Sequence, residues 1–155
     1  MDLYDTARRY LHEHNVLCLA TCSDTMPWVS PVFYAVHKSK LLFLSAPHTA
    51  HCKNIAACPD VAASIQDDYS DWNEIKGFQL QGQVSQIKGD AVQCCINAYA
   101  DKFTVTGPGA PPEIESALNR VAWFELSVSR ILFIDNAKGL GHRDELDPLQ
   151  LLAGS

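Results

Sequence analysis

Thr49 and Lys53 are the residues in this chain whose types and spacing best suit the binding of an anion. They lie in LLFLSAPHTAHCKNIAACP, residues 41–59. The run opens as a short apolar strand, Leu41 to Ser45, and breaks at Ala46-Pro47. It restarts as a helix capped by His48 or Thr49, which Pro59 must end because proline has no N–H to continue the ladder. A lysine in or beside the first turn is electrostatically awkward, since the macrodipole already makes that end positive. A phosphate reverses the sign. Residues four apart share a helix face, so the Thr49 hydroxyl, the Lys53 ammonium and the unpaired first-turn amides can converge on one phosphate. Taken alone, the same letters also describe a solvated lysine on a surface helix.

Other chemistry is sparse. The group His48, His51, Cys52, Cys58 invites a metal reading, but structural zinc sites show paired CxxC-type spacings and none occurs here, so no metal site is assigned. No serine–histidine–aspartate arrangement or carboxylate pair stands out, and the catalytic residues stay unknown. A general acid, if one is needed, would be Tyr34 or a nearby histidine. The formal net charge of -6 argues against nucleic acid or an anionic membrane as the main partner, because such affinity comes from clustered lysine and arginine. Any phosphate site must therefore be local. With 47% apolar and 19% charged residues the chain reads as globular. It shows no apolar run of about 20 residues and no signal-peptide layout at MDLYDTARRY. Six cysteines without such a signal fit free thiols in a reducing cytoplasm.

The elements that must position these residues follow in order. Asp2 caps a helix to about His14. Val16 to Cys22 is a buried strand, turned at Ser23-Asp24-Thr25. Trp28 to His37 alternates as one strand, with Trp28, Ser30, Val32, Tyr34 and Val36 on one face and Val29, Pro31, Phe33 and Ala35 on the other. Pro31 places it at an edge or a bulge. Lys38-Ser39-Lys40 turns the chain into Leu41 to Ser45. After the helix, Val61 to Gln66 is a modest strand, and Ile75 to Ile87 alternates Phe78, Leu80 and Val84 against Gln79, Gln81 and Gln83. Asp90 is placed as N-cap of a helix striped by Val92, Cys95, Ile96, Tyr99 and Phe103. A Pro/Gly-rich excursion, Thr104 to Pro112, leads to a short helix. Two strands, Val121 to Val128 and Arg130 to Ile134, are expected to join at Ser129. Residues 1–141 form one domain, and 142–155 form a tail of weak helical character. This order suits a mainly β, antiparallel barrel with flanking helices.

Several pieces in this order are similar to one family. They are PVFY (Pro31 to Tyr34), HCKNIAACPDVAAS (His51 to Ser64), IKGFQLQG (Ile75 to Gly82), AYADKF (Ala98 to Phe103), VAWFEL (Val121 to Leu126) and ILFIDNAKGLG (Ile131 to Gly141). The chain resembles the pyridoxamine 5′-phosphate oxidase-like split-barrel proteins, within them the YhbP-like branch, over roughly residues 3 to 141.

The resemblance implies a split barrel of FMN-binding type, a homodimer, and two FMN sites at the subunit interface. By position, Lys53 would hold the FMN phosphate with Thr49, Ser45 and His51. The backbone of Pro31, Val32 and Phe33 would line the isoalloxazine, Lys76 or Gln79 would reach its pyrimidine edge, and Trp123 would approach from the partner chain or else serve as a core aromatic. Three departures stand out. His51-Cys52 replace the arginine that often precedes the lysine, Gly77 stands where true pyridoxamine phosphate oxidases tend to carry a flavin-contacting glutamine, and their C-terminal signature is missing. The expected function is an FMN-dependent oxidoreductase of unknown substrate and not a pyridoxamine phosphate oxidase. The alternatives are a flavin- or haem-binding protein for storage, sensing or haem handling, and a dimeric barrel without cofactor.

Overall fold

The computed structural model describes residues 1–24 and 26–153. The turn expected at Ser23-Asp24-Thr25 thus falls partly outside the described residues, as do the last two residues of the tail. Among the described residues one antiparallel sheet contains β1 (Val16–Cys22), β2 (Pro27–Phe33), β3 (Ala35–His37), β4 (Lys40–Ser45), β5 (Asp60–Gln66), β6 (Lys76–Ile87), β7 (Ala122–Asp135) and β8 (Arg143–Leu146). The neighbours run β2-β1-β5-β6-β7-β4-β3, with β8 also on β7. The two ends of that order, β2 and β3, are separated in the chain by Tyr34 alone. The sheet must therefore curl until its ends nearly meet, which makes a barrel split along one seam.

Helices plug and flank this barrel: α1 (Leu3–Glu13), α2 (Ala50–Ala57), α3 (Ala91–Lys102), α4 (Pro112–Leu118) and α5 (Pro148–Leu152). Asp2 caps α1, accepting from the Asp5 amide at 2.8 Å. The expected cap at Asp90 is not made. Its backbone is already helical, at φ -66 and ψ -23, and its side chain bonds to no helix amide.

The barrel interior is packed by Leu17, Leu19, Phe43, Ile65, Phe78 and Phe133, which are essentially inaccessible, and is closed by Leu11 of α1, Ile55 of α2 and Leu151 of α5. Each such side chain contributes roughly 1.5–3 kcal/mol of burial. On β6 the alternation holds, with Phe78, Leu80 and Val84 inside and Gln79, Gln81 and Gln83 outside. A second cluster lies under α3, where Tyr99 and Cys95 meet Ala35, Leu42 and Trp123.

Three expectations need correction. Trp28 to His37 is two strands, because the chain leaves β1 at Phe33 and joins β4 from Ala35. The change of partner resets the alternation, and Ala35, expected to share a face with exposed Phe33, is buried against α3 instead. The closing pair of strands is a single strand, β7, antiparallel to β6 over its whole length. Ser129 is no turn but the extra residue of a β-bulge, since Gln81 lies opposite Arg130 and Gly82 opposite Val128. The tail is structured further than expected: β8 pairs with β7 from Ile131 to Ile134, and Leu146, Leu151 and Leu152 enter the core. Among the described residues no helix is long and apolar enough to cross a membrane.

Candidate functional site

Ser45, Thr49, His51 and Lys53 come together where β4 hands over to α2. The junction is tight: the Thr49 amide bonds back to the Ala46 carbonyl at 3.1 Å, and Thr49 is the N-cap of α2. Its hydroxyl does not cap the helix. It donates instead to the Ala46 carbonyl at 2.9 Å, so the first-turn amides of α2 have no side-chain acceptor. Buried behind them, Ser45 Oγ and His51 Nε2 are 2.5 Å apart, and Thr49 Oγ1 is 3.3 Å from the same nitrogen. Burial pushes the His51 imidazole below its ordinary value, which favours the neutral ring. Lys53, in the second turn, is exposed and makes no ion pair or side-chain hydrogen bond among the described residues. Asn54 anchors the helix to β1, donating to Thr21 Oγ1 at 3.1 Å.

This corner has the makings of an anion seat. Among the described residues it offers first-turn N–H groups with no side-chain cap, a lysine without an ion pair, and no acidic residue in the first turn of α2. Its permanent cation among the described residues is Lys53, since burial of His51 favours the neutral ring.

The other expected residues lie elsewhere. Pro31, Val32 and Phe33 are on β2, at the end of the neighbour order, so the edge position expected from Pro31 is met. Val32 points into the core, and Phe33 is 55% exposed. Gln79 is on the outer face of β6, where its amide oxygen accepts from Arg143 Nε at 3.2 Å. Lys76 begins β6 and stands 3.9 Å from the buried carboxylate of Asp135. Register separates Lys76 from the α2 corner. The helix is tied to Thr21, at the end where Asp60 faces Gln83, whereas Lys76 adjoins the Gly77–Gln66 pair at the far end, about 20 Å along the strand. Within one chain Lys76 is not brought to the α2 corner.

Trp123 takes the core alternative. It is 6% exposed and meets Tyr99 edge-on at 5.3 Å, leaving no ring face for a ligand. Tyr34 is likewise spent, its hydroxyl donating to the Leu11 carbonyl at 2.6 Å with its pKa raised by burial. Gly77 is structural: a Cβ there would stand 2.5 Å from the Ile65 carbonyl oxygen, so no glutamine fits at that position.

Sequence reasoning missed the outward apolar face of the barrel. Val29 and Phe33 of β2, with Val16 of β1, are exposed on it, and Trp28, on the opposite phase at the start of β2, is exposed too, its indole N–H donating to Ser30 Oγ. Beside them is a shallow hollow of about 410 Å³ lined by Cys18, Ala20, Val29, Ser64, Gln79 and Arg130 among others. The signal was present in PWVSPVF, which is apolar in both phases of the alternation. A strand with one wet face would not be.

Comparisons with known proteins agree with this architecture. A UPF0306 protein of Yersinia pestis is 28% identical over 146 residues, covering 91% of this chain and 92% of that protein. The fold matches the structure of a heme binding protein from Mycobacterium smegmatis with a TM-score of 0.76 at 21% identity, over 99% of this chain and 61% of that one. A FAD-binding protein from Mesorhizobium loti matches with a TM-score of 0.63 at 18% identity, over 84% of this chain and 92% of the other. The family profile described as pyridoxamine 5′-phosphate oxidase matches residues 3–135. With barrel, seam and helix plugs in the places that match spans, the chain belongs to the pyridoxamine 5′-phosphate oxidase family.

Proposed function

We propose that this protein binds FMN between the two subunits of a homodimer and acts as an oxidoreductase on a substrate still to be identified. The observation that carries the reading is the state of the α2 N-terminus. The Thr49 hydroxyl turns away from the helix amides, and among the described residues Lys53 has no ion pair or side-chain hydrogen bond. Donors without an acceptor, next to a lysine without a counter-ion, fit a phosphate monoester. The first-turn amides and Lys53 would hold the phosphate, with Ser45 behind them. The free edge of β2 from Pro31 to Phe33 would line the ring system, where Pro31 brings no N–H to be satisfied.

Bound FMN supplies hydride or single-electron transfer, chemistry that asks the protein chiefly for orientation and electrostatics. The residues present suit that division, since Tyr34 is locked in the core and His51 is buried and hydrogen-bonded. The exposed Val16, Val29 and Phe33 give the second copy an apolar face to cover. A second reading, haem binding, draws on the fold match to the Mycobacterium smegmatis heme binding protein and on His48, an exposed imidazole beside the α2 corner.

The test is to incubate the purified protein with FMN or with hemin, remove free ligand by gel filtration, and record the absorbance. Flavin bands that travel with the protein support the first reading, and a Soret band supports the second. If neither travels with the protein, both readings fail.

A further inference from the structure

Hydrogen-bond accounting at the start of α2 gives His51 a role that differs from that of a cation. Three polar atoms meet there: Ser45 Oγ lies 2.5 Å and Thr49 Oγ1 lies 3.3 Å from His51 Nε2. Thr49 has a single hydroxyl proton, and it points at the Ala46 carbonyl 2.9 Å away. Toward the histidine, Thr49 can therefore only accept. Its contact with Nε2 is a hydrogen bond only if that nitrogen carries the proton. The same N–H then points at Ser45 Oγ, the nearer oxygen, and occupies one of its lone pairs. Ser45 is left with its own proton unspent, since it has no other hydrogen bond among the described residues.

We infer that His51 is a positioning residue: its Nε2–H occupies a lone pair of Ser45 and leaves the serine proton for a ligand, which favours an acceptor-only group, the phosphate monoester of FMN, at the α2 corner. This deepens the proposed flavin site and rests on it. The imidazole, like Ser45, is buried, and burial lowers its pKa, which favours the neutral ring. It acts through Ser45. The charge is left to Lys53.

The test has two arms. In the protein without FMN, ¹⁵N spectra of the histidine rings report which nitrogen of His51 is protonated. Nε2–H is expected, and an Nδ1–H tautomer overturns the inference whether or not FMN binds. In the second arm FMN affinity is measured for wild type, Ser45→Ala, His51→Leu, the double variant and His51→Gln, with riboflavin as the phosphate-free control. Ser45→Ala and His51→Leu should each weaken FMN by about tenfold. The double variant should be no weaker than either. His51→Gln, whose amide N–H can replace Nε2–H, should stay near wild type, and riboflavin affinity should not move in any variant. Additive losses overturn the inference. So does a wild-type FMN affinity that climbs as pH falls from about 8 to about 6, the mark of a direct imidazolium contact. If wild type binds no FMN, the flavin reading fails, and the ring spectra still decide the direction of the hydrogen bond.

Discussion

Lys102 Nζ lies 4.1 Å from the centre of the Tyr34 ring and donates to the His14 carbonyl at 2.5 Å. His14 is the C-cap of α1, and the Tyr34 hydroxyl bonds to the Leu11 carbonyl of the same helix. Together they satisfy two carbonyls that the end of α1 leaves orphaned, and they tie α1 to α3 across the seam of the barrel.

The pH dependence of this tie follows from its burial. Desolvation lowers the Lys102 ammonium to about 8 from an ordinary 10.5. Below pH 8 the folded and unfolded chains are both protonated and the cost of burying the charge is fully present. Between the two values the unfolded chain holds a proton that the folded chain has released, so stability rises with pH. Urea melts of wild type and Lys102→Met should show wild type gaining on the variant from about pH 8 to about pH 10. A constant difference would show that the amine titrates normally.

Gly82 faces the bulge. A Cβ there would stand 2.1 Å from the Ser127 carbonyl oxygen, and that atom is backbone rather than a side chain able to swing aside. Gly82→Ala should cost about 2–3 kcal/mol in urea unfolding as the bulge shifts to make room. Gly89→Ala is the useful contrast. No atom crowds that site, and its φ of +69 makes any loss one of backbone strain alone.

Residues 143–152 show what could and could not be read from sequence. The elements of the barrel wall were legible because their apolar period is long, as in Phe78, Leu80 and Val84. The placing of Thr49 as N-cap of α2, with Lys53 one turn on, was legible because the two are local in sequence. RDEL and PLQLL gave no period, and their apolar residues matter only because β7 and α1 lie within reach. The strand change at Tyr34 and the bulge at Ser129 were hidden for the same reason: each is set by a partner distant in sequence. Neither could the Ser45–His51 bond be seen, since its direction depends on where Thr49 sends its proton.

The C-terminal helix should therefore matter to stability. Leu151 is fully buried, and the side chain of Arg8 in α1 bonds to the carbonyls of Leu151 and Gln150 at 3.2 and 2.8 Å. Leu151→Ala should cost about 2–4 kcal/mol in denaturant melts. Leu149→Ala, at a residue 70% exposed in the same helix, should cost under about 0.5 kcal/mol. Equal losses would mean that α5 is not docked as described.

The proposed dimer can be tested on β2. Val29 is 61% exposed and points into the apolar outer face, so an aspartate there leaves the folded monomer intact while placing a charge in the interface. Sedimentation at low micromolar concentration should give a dimer for wild type and a monomer for Val29→Asp. FMN binding should fall with the dimer, because the second wall of the site is lost. A monomeric wild type, or a dimeric Val29→Asp that binds FMN normally, would move the interface off this face.

Lys53 is the sharpest test of the proposed flavin site, because among the described residues it makes no ion pair or side-chain hydrogen bond that its loss would break. Lys53→Ala removes a charge-assisted phosphate contact of roughly 1.5–3 kcal/mol, so FMN affinity should drop by about tenfold or more. Stability should be unchanged or slightly higher, since a cation at a helix N-terminus opposes the macrodipole by a few tenths of a kcal/mol. The two effects have opposite signs, which separates a binding defect from a folding defect. The salt dependence gives a further check, because an exposed charge pair is screened. Wild-type affinity should fall with added salt, and that of Lys53→Ala should fall less. If FMN binds both proteins equally well at every salt concentration, the phosphate is held elsewhere.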